Sequence, residues 1–270
     1  MRSEVCGLWS EVCCLMSKIW AITLNTFKEA VRDRILYAIL AFAIAMIGST
    51  FILATIGVGS GPKIIRDLGL GFISIFGALI AVFIGIGLVH KEIDRRTIYT
   101  IISKPIHRFE FVLGKYLGLI LTLLVNVTIM TWALMGLIFL GEGFWDFRLF
   151  AASGMILLEL MVVTGIAVLF SSFSTPALSA IFTLSFFAIG RLLDDLRLFG
   201  EQYAGPVGRA VIRTFYYLLP NLGRFNVNAE VVHGVPLGEV VSGMTILYGS
   251  LYVVALLALT SLIFQNRDFR

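Results

Sequence analysis

Glu159 stands inside Leu149 to Phe170, an apolar stretch long enough to cross a bilayer, and is the only acidic residue so placed. A carboxylate at that depth costs about 3 kcal/mol or more unless it faces a bundle interior or water. Two roles fit it. One is a substrate-path or gating group. The other is a structural hydrogen bond to a Ser, a Thr or Asn126 on a neighbouring stretch. Asn126, Thr128 and Thr131 share another apolar run, where bonding between helices is the first expectation. The second group with chemical potential is the charged segment His90 to Lys115. It carries Lys91, Arg95, Arg96, Lys104, Arg108 and Lys115 between two apolar runs, and is suited to meeting a partner in water.

Other chemistries are poorly provided for. His90, His107 and His233 are far apart, and Cys6, Cys13 and Cys14 lack partners at metal-ligand spacing. These cysteines are expected to be reduced and structural, or close to the membrane surface, with palmitoylation or redox sensing as the alternative. There is no HExxH and no Gly-x-Gly-Asp within an apolar run, which speaks against a membrane-embedded enzyme. The glycine run from Gly57 to Gly61 lacks the Gly-Lys-Ser/Thr ending of a phosphate loop and reads as a turn.

The elements that must position these residues follow from composition. The chain has 270 residues, 59% hydrophobic and 14% charged, with a mean hydropathy of +0.95. Soluble domains carry about 25% charged residues. The expected class is therefore an all-α polytopic membrane protein. The net charge of +4 does not point to nucleic acid, because no basic tract interleaved with aromatics lies outside the apolar runs.

A membrane helix needs about 20 apolar residues. Six stretches qualify, at about 35–56, 68–89, 116–140, 149–170, 172–190 and 240–264. The fifth is short unless it begins near Ser172. These lie in a single transmembrane domain, 35–264, between an N-terminal segment, 1–34, and a tail, 265–270. Residues 1–14 form a weakly patterned leader with no cleavable signal peptide evident. From Met16 the spacing of Trp20, Leu24, Phe27 and Val31 predicts an amphipathic interfacial helix, with Lys18, Asn25, Lys28, Glu29 and Arg32 largely on its other side. Gly114 and Gly118 open the third span and would allow close helix approach.

The segment 191–239 is the longest outside the spans. Tyr203, Val207, Val211, Phe215 and Leu219 repeat every four residues, predicting an amphipathic helix that Pro220 stops. Asn221 to Gly238 reads as loop. Arg191 with Asp194 or Asp195 reads as an interfacial anchor with a local ion pair. Thirteen Lys and Arg fall on the side of the termini and the 90–115 loop, against eight on the other. By the positive-inside rule both termini and that loop are expected in the cytoplasm of a plasma (inner) membrane, and 191–239 outside.

Within the charged loop, Glu92 to Ser103 has room for about three helical turns. Ile98, Ile101 and Ile102 make an apolar patch beside Arg95, Arg96 and Thr97, and Lys104-Pro105 ends the helix. Such an element is either a rigid knob that takes force from a cytoplasmic partner or a basic loop that only fixes topology.

The loop resembles the first cytoplasmic loop of ABC-2 type transporter permeases. Glu92, Thr97, Pro105-Ile106-His107-Arg108 and Gly114-Lys115 occur in the order that family uses. Arg96 stands where the family often has glycine. Lys28-Glu29 and Arg32-Asp33-Arg34 fit the family's amphipathic elbow helix, together with Trp20 and Phe27. The six spans and the long segment before the last also match, most similarly in the compact multicopper-enzyme-maturation and export permeases. The resemblance implies an ABC exporter permease whose coupling helix (Glu92, Arg95, Arg96, Thr97, Ile98, Ile101, Ile102, Lys104, Pro105, Arg108) docks on a separate ATPase subunit. It implies two ATPase copies, which bind the ATP and Mg, and a second permease copy or a related permease. The chain itself would hold no cofactor and no ATPase motif. A channel or scaffold subunit of a non-ABC complex is the alternative.

Overall fold

A computed structural model describes residues 2–56, 61–94, 108–143, 145–203, 205, 208–209, 212–214, 216, 219–233 and 243–266. Its long helices are α1 (Arg2–Val31), α2 (Arg34–Ile56), α3 (Gly61–Asp94), α4 (Arg108–Glu142), α5 (Arg148–Ser171) and α6 (Pro176–Tyr203). A 3-10 turn (Leu222–Phe225), the short α7 (Asn228–His233) and α8 (Gly243–Asn266) follow. No strand occurs among the described residues. Six helices, α2 to α6 and α8, are long and apolar enough to cross a membrane.

Hydropathy locates the lipid-facing stretch of a helix, not its ends, because the backbone bonding continues through polar turns. The helices accordingly outrun the expected spans. α3 begins at Gly61, α4 at Arg108, and α6 runs from Pro176 past Arg191 to Tyr203. Proline suits the first turn of α6, since its missing N–H would have no helical partner there. The fifth span is therefore a full-length helix that carries Arg191, Asp194, Asp195 and Arg197 on its continuation. α1 likewise starts at Arg2, so the leader is helical. With no proline and only Gly7 among its residues, nothing in it stops a helix running back from Met16.

α3 and α5 form the centre. Most of their apolar side chains are buried, including Ile73, Ile80, Leu149, Ile156 and Leu160. α3 touches α2, α4, α5, α6 and α7, and α5 also touches α4, α6 and α8. The outer helices keep wide apolar faces open: Phe42 is 58% exposed, Trp132 53%, Ile181 58% and Leu251 69%. In water such faces would aggregate; in lipid they are the solvated surface.

Several buried hydroxyls are satisfied within their own helices. Thr131 donates to the Val127 carbonyl (2.8 Å), Thr164 to Leu160 (2.7 Å) and Thr260 to Leu256 (2.7 Å). This corrects the interhelical reading of the third span. Thr128 donates to Leu124 O (2.7 Å) and the Asn126 amide to Thr122 O (2.8 Å), all within α4. A carbonyl four residues back is always in reach of a helical hydroxyl, so no neighbouring helix is needed.

Candidate functional site

Glu159 lies 11 residues into α5, roughly 16 Å from its start at 1.5 Å per residue, and is 0% exposed. Its carboxylate accepts three hydrogen bonds. Ser74 Oγ of α3 donates to Oε2 at 2.9 Å. Arg191 of α6 donates from Nε to Oε1 at 2.9 Å and from Nη2 to Oε2 at 3.5 Å. The guanidinium also lies 5.6 Å over the Phe187 ring. One buried carboxylate thus ties three membrane helices together. The interaction expected of Arg191, a local pair with Asp194 or Asp195, is replaced by this one; Asp194 instead accepts from the Asn221 amide at 2.8 Å. A charge inside a bundle pairs with the nearest opposite charge in space, here 32 positions away in sequence. Asn126 is not part of the triad. It is 4% exposed, and its Oδ1 accepts no hydrogen bond among the described residues.

Immediately beside the triad sits a structured plug. Asn221 onward was expected to be loop, yet Leu222, Phe225, Val227 and Val231 are all buried. The 3-10 turn packs on α6 and α5, and α7 packs on α3 and α5. The Pro220 carbonyl and Leu222 come so close to Gly190 that a Cβ there would lie 3.0 Å from the oxygen and 2.9 Å from Leu222 Cγ. The plug is pinned by the Asn221 backbone N–H donating to Tyr248 O–H (3.0 Å). Four dispersed apolar residues among Asn and Gly are too few for a periodicity, which is why the sequence pattern reads as loop. Of the amphipathic helix expected from Tyr203 to Leu219, the described residues 208–209, 212–214 and 216 are helical. Nearby, Arg224 beside Tyr216 holds its phenol below the usual range.

At the opposite end of the bundle, α1 packs along the start of α4. A Cβ on Gly114 would lie 2.9 Å from Ile22 Cβ, and one on Gly118 2.8 Å from the Thr23 carbonyl oxygen. Thr23 Oγ1 is 2.9 Å from Ile19 O and 3.1 Å from Gly114 O, so its proton is shared between the two helices. The close approach expected of the two glycines is present, and the helix that uses it is α1. Trp20 is 60% exposed on the outer side, Phe27 and Glu29 are half-buried, and Lys28 and Arg32 are exposed. Lys115, expected at the membrane edge, is buried with Glu110, and neither is without a partner.

Of the loop residues, Glu92 falls in the last turn of α3 and Arg108 is the first residue of α4. Arg95, Arg96, Thr97, Ile98, Ile101, Ile102, Lys104 and Pro105 lie outside the described residues. Among the described residues no group of His, Cys, Asp and Glu could hold a metal ion.

Comparison with curated proteins returns no match. A family model described as ABC-2 family transporter protein matches residues 20–269. That match takes in α1 from Trp20, all six apolar helices and the plug, and so the chain belongs to the ABC-2 transporter family, as a multi-pass permease subunit of an ABC transporter.

Proposed function

We propose that this permease works as an exporter whose 90–115 loop receives force from a separate ABC ATPase. Two ATPase copies bind the ATP and Mg, and a second copy of this chain or a related permease completes the pore. The termini and the loop face the cytoplasm of the plasma (inner) membrane. Ile98, Ile101 and Ile102 seat in the ATPase, and Arg95, Arg96, Lys104 and Arg108 steer that docking toward acidic surface.

The observation that carries this reading is the Gly114–Gly118 seam. The coupling residues end at Arg108, two helical turns before Gly114–Gly118, where α4 is in backbone contact with α1. A push on the loop therefore moves α4 and the elbow as one body. From α3 and α4 the displacement reaches α5 through packing and through the Tyr116 hydroxyl on the Met161 carbonyl (2.9 Å). From α5 it reaches α6 through Glu159 and Arg191. In this scheme Glu159 is a gating brace rather than a contact for cargo. Asn126, whose Oδ1 has no partner among the described residues, is the residue of the pair left for a role in the substrate path.

The test is substitution in the loop with the assembled transporter. Arg95→Glu and Ile101→Asp should leave membrane insertion intact while ATP-driven transport falls at least tenfold. Transport that survives both substitutions would refute coupling through this loop.

A further inference from the structure

We infer that the corner between α1 and α2 is a binding site for the headgroup of an anionic phospholipid. A cleft of about 560 Å³ opens there, lined by Asn25, Lys28, Glu29, Arg32, Asp33 and Arg34. Lys28 and Arg32 are four positions apart and so project from one side of the chain a turn apart. Arg34 begins α2 two residues later. All three are exposed, and none of their side chains has a hydrogen bond or ion pair among the described residues. Three exposed cations converging on one cleft exceed the two carboxylates beside them and favour an anion among them.

The acids in the lining set the charge of the occupant. Asp33 Oδ1 accepts from the Ile35 N–H at 3.0 Å, capping α2. With Glu29 and Asp33 counted against Lys28, Arg32 and Arg34, the lining carries one net positive charge. That matches a single phosphodiester.

The surroundings supply the rest of the ligand. From Ile35 onward α2 presents an apolar face, with Ile35 and Tyr37 each 53% exposed and Phe42 58%. On α1, Met16 and Trp20 are exposed as well. A phosphate held in the cleft would have acyl chains lying along α2, whereas a free phosphate ion would use only the cations. Basic pockets where helices enter a membrane bind anionic headgroups for this reason. The inference rests on α2 lying in lipid and not on the coupling scheme, so either can fail alone.

The test is native mass spectrometry of the full chain in detergent, with phosphatidylglycerol, phosphatidylcholine or inorganic phosphate added. The chain should retain one phosphatidylglycerol in preference to phosphatidylcholine. Lys28→Gln/Arg32→Gln/Arg34→Gln should weaken retention at least tenfold, and Lys63→Gln/Arg213→Gln should not. Inorganic phosphate at millimolar concentration should not displace the lipid. If the triple variant melts below the parent without lipid, Arg32→Gln alone replaces it, with retention falling several-fold. Equal retention of phosphatidylcholine, an unaffected variant, or displacement by inorganic phosphate would each overturn the assignment.

Discussion

Arg191 Nε donates to Glu159 Oε1 at 2.9 Å, joining α6 to α5 inside the membrane, with Ser74 of α3 completing the carboxylate's shell at 2.9 Å. Removing one partner of such a pair leaves the other charge buried and alone, at a cost of about 3–5 kcal/mol, whereas replacing both by apolar residues of similar volume is close to neutral. Glu159→Gln and Arg191→Met should therefore each lower the melting temperature in detergent, and Glu159→Met/Arg191→Met should recover most of the loss. Singles that melt with the parent would show that the pair does not hold the helices.

The α1–α4 seam admits no side chain at Gly118. Gly118→Val has to displace the Thr23 carbonyl and Thr26, and overpacking of this kind costs about 1–3 kcal/mol. The expected readout is faster proteolysis within α1 and a drop in nucleotide-driven transport, with the spans still inserted. Gly136, elsewhere on α4, has open space around it, so Gly136→Ala should be silent in both assays. Equal behaviour of the two variants would mean that the seam is not a close contact.

Phe225 anchors the plug with 0% exposure, against Tyr248 at 6.3 Å between rings. Truncating a buried phenylalanine costs about 3–5 kcal/mol. Phe225→Ala should lower the melting temperature and raise amide exchange in 219–233, leaving α1 exchange unchanged. Gly190→Ala, which crowds Leu222 and the Pro220 carbonyl, should give the same pattern in milder form. Unchanged exchange in the plug for both would contradict its packed state.

What could be read in the sequence divides along locality. The six membrane helices rest on runs of about 20 apolar residues, and a run of that length has one physical outcome. The elbow stripe and the Gly114–Gly118 spacing were equally local, and both helices formed; which helix filled the glycine seam depended on where α1 folds back, and no spacing records that. Arg191 illustrates the opposite case. Asp194 and Asp195 were its neighbours in sequence, but α6 continues as a helix through them and turns Arg191 toward α5. The plug was hidden because Leu222, Phe225, Val227 and Val231 are buried one at a time by α3, α5 and α6, with no repeat of their own. Asn126 and Thr131 misled because a membrane hydroxyl or amide can be satisfied by its own helix before it reaches another.

The central claim is that this permease acts with a separate ABC ATPase. The most direct measurement is mild-detergent purification of the tagged chain from native membranes, with mass spectrometry of what accompanies it. An ABC-type ATPase should accompany the permease in a fixed ratio and be lost from the Ile101→Asp variant. Purification of the chain alone, or with an assembly lacking any ATPase even after crosslinking, would contradict it and favour a channel or scaffold role.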